Sequence, residues 1–198
     1  KRCGVDIDKA HKSGKELKNA AAYLELHIEQ GPVLEKLKLP LGTVLGTCGV
    51  ERWAIKFTGQ AAHSGSTPMN VRRDALACAA RFELEIREIA KRHNGVCTIG
   101  SVITKPGIVT AVVGECDVTL DQRHISATSL RAMFREAQAA SKRFAKEEKC
   151  QVAWSRIWQI EPIPFHKTLL EFCDQANIET SGSTHRMPTR SRAEGASG

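Results

Sequence analysis

The chain has 198 residues, 41% of them hydrophobic and 26% charged, a globular composition large enough for a core and for more than one folding unit. Its formal net charge of +7 is dispersed among acids, and one Tyr and three Trp supply neither the stacking platform nor the basic groove of a nucleic-acid reader. Local positive charge suits a small anionic substrate instead.

No apolar stretch reaches transmembrane length, and Lys1-Arg2-Cys3-Gly4 is followed by no signal-peptide core, so no membrane partner is expected. The seven Cys stand singly without a CxxC pair, which argues against a disulfide scaffold and for a reducing, cytoplasmic compartment.

In chain order, Tyr23, Leu24, Leu26 and Ile28 predict a short strand that stops at Gly31-Pro32 and carries His27 and Glu29 on one face. Val33 to Leu37 predict a short helix entered through Pro32, and Leu41 to Val50 a strand interrupted by Gly42, Gly46 and Gly49. Trp53, Ile55 and Phe57 alternate as a half-buried strand over 52–58. An amphipathic helix follows over 71–91, with Leu76, Ala79, Ala80, Phe82, Leu84, Ile86 and Ile89 on its apolar side and Asn94-Gly95 at its end.

Strands over 96–104 and 111–122 flank the turn Lys105-Pro106-Gly107 and are expected to pair antiparallel. A second amphipathic helix over 129–144 takes Ser126 or Thr128 as its cap, and a strand over 151–160 points Val152, Trp154 and Ile157 inward. The order strand, helix, strand, strand, helix, strand predicts the split βαβ, ferredoxin-like arrangement: one antiparallel sheet with both helices on one face. Glu161-Pro162-Ile163-Pro164 reads as a crossing between domains, a third helix over 165–176 returns to the first segment, and residues 186–198 lack apolar periodicity and read as disordered.

Two motifs carry chemistry. His27-Ile28-Glu29-Gln30-Gly31-Pro32 places an imidazole and a carboxylate at a strand end, and Ala61-Ala62-His63-Ser64-Gly65-Ser66-Thr67-Pro68-Met69 places a second imidazole in a Gly/Ser/Thr turn. Together they point to a metal-dependent hydrolase. AYLELHIEQGPVLE, GQAAHSGSTPMNVRRDAL, GECDVTLDQRH and SGSTH, in this order between residues 4 and 185, resemble the hydantoinase/carbamoylase branch of the M20 metallopeptidase-like amidohydrolases. That branch contains N-carbamoyl-L-amino-acid hydrolases, allantoate amidohydrolases and β-ureidopropionases.

The resemblance implies an α/β fold in which a zinc-hydrolase catalytic domain, present in part over 1–48 and 161–185, carries an inserted ferredoxin-like (βαββαβ) dimerisation domain over 49–160. Residues 186–198 would be a non-native or disordered tail. It further implies a homodimer through the inserted domain and two divalent metal ions, Zn2+ first, with Mn2+, Co2+ or Ni2+ as alternatives. Of the family's five metal ligands only His27 and His185 have counterparts, and the general-base Glu has none. His185 is followed by Arg186-Met187-Pro188 where the family has Asp-Ala. The expectation is a fragment, or a truncated or frameshifted gene, inactive by itself.

Each site residue has a plainer reading. His27 alone would be a satisfied core histidine, and by resemblance it is a metal ligand, as is His185. By resemblance Gln30 hydrogen-bonds the ureido group of a substrate, while its plain reading is a strand-end cap. His63 would be an exposed turn histidine, and by resemblance it is the catalytic donor that stabilises the oxyanion across the dimer. Arg72 and Arg73 open the long helix, an unfavourable end for cations that calls for a carboxylate such as Asp74, and they read as structural or lining. Arg123 matches the family arginine that grips the substrate carboxylate, and Thr110 stands where the family has Asn. His93 and His124 take no role, and Cys48, Cys97 and Cys116 lack a histidine partner for nucleophilic chemistry.

The expected reaction is hydrolysis of the ureido C–N bond of an N-carbamoyl-L-amino acid, a small carboxylate-bearing substrate. The alternatives are allantoate hydrolysis, M20-type peptidase action, or, for the chain alone, an inactive dimerisation module.

Overall fold

The computed structural model describes residues 7–189. After a 3-10 segment over Ile7–Asn19 the chain runs without helix or strand to α1 (Val33–Leu37). The strand expected over 23–28 does not form, and Leu26 is 92% exposed. A strand needs a neighbour to take its N–H and C=O groups, and among the described residues none pairs with this segment. Instead Glu29 turns its carboxylate onto α1, accepting from the backbone N–H of Val33 (2.7 Å) and Leu34 (2.8 Å). These are two of the N–H groups that a helix start leaves without partners. Capping thus falls to Glu29, while Gln30 is exposed in the left-handed region at φ 55°.

Strand β1 (Thr43–Thr47) lies between β8 (Ile163–Pro164), antiparallel, and β9 (Arg186–Thr189), parallel. Gly46 permits the approach of β8, since a Cβ there would lie 2.4 Å from the Ile163 carbonyl oxygen. Strand β9 corrects the reading of 186–198 as disordered at residues 186–189 alone, because parallel pairing to β1 satisfies a backbone that has no apolar period of its own. Residues 190–198 lie outside the described residues. Helix α4 (Lys167–Ser181) runs five residues past the expected end and stops at Gly182, φ 78°. Its buried Asp174 pairs with Arg186, and Asn177 donates to Thr43 Oγ1 (3.1 Å), which ties α4 to the β1 sheet.

Between these parts, β2 (Gly49–Thr58), α2 (Ala75–Arg92), β4 (Val96–Lys105), β6 (Glu115–His124), α3 (Ala127–Glu147) and β7 (Gln151–Ile160) build the split βαβ unit. The sheet order is β4-β6-β2-β7, every neighbour antiparallel. Both helices cover one face. Trp53, Ile55 and Phe57 of β2, Cys116, Val118 and Leu120 of β6, Phe82 and Ile86 of α2, and Met133 of α3 form the core. Trp53 stacks on Phe134 at 4.5 Å, and Trp154 meets Trp53, Phe82 and Phe134 edge-on.

Four details depart from the sequence reading. Helix α2 begins at Ala75, because the Asp74 carboxylate caps Leu76 and Ala77 and the preceding Met69–Val71 forms a 3-10 turn. Its buried stripe is Ala75, Cys78, Ala79, Phe82, Ile86, Ile89 and Ala90, which leaves Ala80 and Leu84 on the exposed side. Ile157 is 55% exposed because the β2/β7 register jumps from Arg52↔Trp158 to Trp53↔Arg156 and gives it no opposite residue. The strand expected over 111–122 breaks at Gly114 into β5 (Ala111–Val112) and β6, and β5 leaves the main sheet to pair with β3 (Ala62–His63). Ser126, not Thr128, caps α3. Among the described residues no helix is long and apolar enough to cross a membrane.

Candidate functional site

The β3/β5 ladder decides what His63 meets. Ala62 and His63 pair with Val112 and Ala111, and Ser64 N donates to the Thr110 carbonyl (2.9 Å), so Thr110 stands beside the histidine turn. Thr67 N closes that turn on the His63 carbonyl (3.1 Å). The ring is then held from inside the turn: Nδ1 accepts from the backbone N–H of Gly65 and of Ser66, both at 3.1 Å, with Ser66 Oγ at 3.2 Å. A neutral imidazole whose Nδ1 accepts carries its proton on Nε2. The exposed His63 therefore presents an oriented Nε2–H donor to solvent. Gly65 suits this contact, because a Cβ there would press the ring carbon Cε1 at 3.3 Å.

Arg123 occupies the far end of β6, opposite Val50 and Val96, on the sheet face away from the helices. Its Nε and Nη2 grip the Asp121 carboxylate at 2.7 and 3.1 Å, and Arg52 Nε reaches the same carboxylate at 2.8 Å. A shallow depression of about 360 Å³, lined by Val96, Cys97, Thr98, Asp121 and Arg123, opens beside the guanidinium. Partial burial opposes ionisation of Asp121, but hydrogen bonds from Arg123 and Arg52 outweigh it and hold the carboxyl below the usual carboxylate range. Sequence reasoning missed Asp121. The i, i+2 spacing to Arg123 on one strand face was the available signal.

A depressed folded-state pKa contributes stability that is present above the unfolded value, near 4, and is lost as pH falls through the folded one. The chain is expected to resist urea better than Asp121→Asn at pH 7, with the gap closing toward pH 2. A gap unchanged at pH 2 would contradict the ion-pair account.

His63 and Arg123 do not meet within one chain. Thr58 pairs with Glu115 at the end of the sheet nearest His63, and Arg123 lies eight residues along β6. At about 3.3 Å per residue the separation is on the order of 25 Å. At that separation one copy cannot bring both groups to a single small substrate.

His27 is exposed, with Nδ1 against its neighbour's Ile28 carbonyl. His185 is half-buried at the β1/β9 edge, where its carbonyl accepts from Thr43 N (2.9 Å). Among the described residues no three His, Cys, Asp or Glu side chains gather as a metal cage, so these residues do not by themselves make the expected two-metal centre. His124 links structure instead: Nδ1 accepts from Ser126 N (2.8 Å) and Nε2 faces the His93 carbonyl (2.8 Å). His93 in turn faces Glu136 at 2.6 Å. Burial pushes the Cys97 and Cys116 thiols up to about 11, which removes the thiolate that nucleophilic chemistry needs.

The fold and site thus define an α/β chain that offers a hydrogen-bond donor at one end of its sheet and a guanidinium at the other. No protein-family model matches it. An N-carbamoyl-L-amino acid amidohydrolase of Geobacillus stearothermophilus is 32% identical over 179 residues, 89% of this chain and 43% of the relative. An allantoate amidohydrolase of Escherichia coli is 31% identical over 206 residues, 96% of this chain and 50% of the relative. The crystal structure of a hydantoinase/carbamoylase family amidase from Burkholderia multivorans superposes with a TM-score of 0.81 at 30% identity, over 85% of this chain and 41% of that one. The chain belongs to the hydantoinase/carbamoylase family of amidases and spans half or less of the length of these relatives.

Proposed function

We propose that the chain is the substrate-gripping unit, and part of the catalytic unit, of a cytoplasmic zinc-dependent amidohydrolase of the M20 type that cleaves the ureido C–N bond of N-carbamoyl-L-amino acids. The observation that carries the reading is the held Nε2–H of His63 beside Thr110. An oriented donor aimed at the oxygen on which charge develops acts in the transition state and needs no reorganisation there. In this reading Arg123 takes the substrate carboxylate, the Thr110 hydroxyl and the Gln30 amide contact the ureido group, and His27 and His185 are metal ligands. Further ligands would have to come from outside the described residues.

The sheet-length separation supports an assembly in which residues 49–160 dimerise and each small substrate meets His63 of one copy and Arg123 of the other. Phe82 is fully buried in its own chain, whereas Ala80 and Leu84 are exposed α2 positions open to a partner. The Escherichia coli relative, aligned over nearly the whole chain, makes allantoate the second substrate to consider.

A chimera in which residues 49–160 replace the matching stretch of the Geobacillus relative tests the reading. It is expected to form a dimer in sedimentation and to hydrolyse N-carbamoyl-L-amino acids faster than allantoate or dipeptides. Preferential dipeptide cleavage by a folded chimera would reject it.

A further inference from the structure

We propose that Arg72 is the positioning residue of the His63 turn, an inference that rests on the reading of His63 as the oxyanion donor. Its planar fork spans the turn from behind: Nε donates to the Thr67 carbonyl (3.0 Å) and Nη2 to the Ser64 carbonyl (2.6 Å). Those two carbonyls bracket Gly65 and Ser66, the residues whose N–H groups face His63 Nδ1. Ser64 is therefore pinned on both sides, its N–H on the Thr110 carbonyl and its carbonyl on Arg72. The turn has no apolar anchor of its own. It consists of Ser, Gly, Ser and Thr, small residues that offer little packing, and its Gly loses more backbone freedom on ordering than any other residue type.

Position explains how Arg72 reaches the turn. It follows the 3-10 turn Met69–Val71 in extended conformation (φ −63°, ψ 151°) and is half-buried, so its stem is fixed before the fork is reached. Its neighbour Arg73 is turned elsewhere and donates from Nε to the Lys149 carbonyl (2.8 Å). Two adjacent residues of equal charge thus do different work. A charged donor on a carbonyl is worth more than a neutral one, and the fork holds both carbonyls at a fixed spacing. Arg72 fixes the turn, the turn fixes two N–H groups, and these fix which nitrogen of His63 carries the proton.

The test reads the imidazole directly in the ¹⁵N-labelled whole chain, at a pH where the two ring ¹⁵N shifts are those of a neutral imidazole. In the unaltered chain, His63 Nδ1 is expected to resonate as an acceptor, Nε2 as protonated, and the Gly65 and Ser66 amide nitrogens to couple to Nδ1 through the hydrogen bonds. Arg72→Ala, and Arg72→Met, which keeps the apolar stem without donors, are expected to abolish both couplings and to let the second tautomer appear. Arg72→Lys regains part of the coupling, and Arg73→Ala leaves the His63 signals unchanged.

Retention of the couplings in folded Arg72→Ala or Arg72→Met overturns the proposal, and so does an equal loss in Arg73→Ala. Where Arg72→Ala does not fold, Arg72→Met decides. Collapse of amide dispersion in both also overturns it, since Arg72 would then hold the whole unit rather than the turn. None of these readouts involves turnover. If His63→Ala kept full activity in the chimera, the oxyanion reading would fall while the Arg72 result stood.

Discussion

Replacing His63 by Ala in the chimera is expected to lower kcat about 10²–10³-fold with little change in KM, the loss typical of a missing oxyanion donor. The reason is the timing of the interaction. A ground-state carbonyl makes little demand on Nε2–H, and the tetrahedral oxygen makes much more, so the bond is strong only where the barrier lies. Arg123→Ala is expected to act on KM, because a carboxylate is gripped equally before and during the reaction. If His63→Ala raised KM alone, the residue would be a binding contact and not a donor to the transition state.

The two variants also test assembly. Each alone is impaired at every site, but a mixed dimer places both defects in one site and leaves the other intact. Random exchange makes half the dimers mixed, so mixing the two impaired proteins should restore roughly a quarter of the sites. Recovery of nothing, with subunit exchange verified, would mean that one copy supplies both groups. That outcome contradicts the length of β6.

Phe82→Ala is expected to cost about 3–5 kcal/mol of stability, the range for an aromatic truncated in a core. Phe82 is fully buried between Phe57 and Trp154, with ring centroids 5.9 Å away on each side. The neighbours that would collapse into the space are themselves held, Phe57 by β2 pairing on both edges and Trp154 by its Nε1–H on Ser141 Oγ (3.0 Å). Native domains are stable by about 5–15 kcal/mol, so this one substitution removes a large part of the margin. A guanidinium midpoint shift worth less than about 1 kcal/mol would show that the helix layer repacks freely, contrary to close packing. Leu84→Ala, on the exposed side of the same helix, is the internal control and should be near neutral in the monomer.

What the sequence by itself determined is the split βαβ unit. Alternation in 52–58 and the helical stripe around Phe82 survive without knowledge of neighbours, because each element buries its own face against a core that the same stretch of chain supplies. The HIEQGP and AAHSGSTPM motifs likewise identified the family before any geometry was known. Tertiary structure decided the rest. Residues 23–28 have the alternation of a strand, but pairing is a property of two segments, and among the described residues the second is not there. Residues 186–189 show the converse: no period of their own, yet a strand, because β1 offers a free edge.

The same distinction runs through the site. The motif named His63, but which ring nitrogen holds the proton depends on the Gly65 and Ser66 N–H groups and on the turn that aims them. The spacing from Thr110 to Arg123 is short in sequence and long in space, because Arg123 stands near the far end of a ten-residue extended strand. Thr110 instead joins His63, from which it is far in sequence, through two short strands that break away at Gly114. Local periodicity reports which face of an element is buried. Which residues share a site depends on register and strand length, and those are settled only when the elements are assembled.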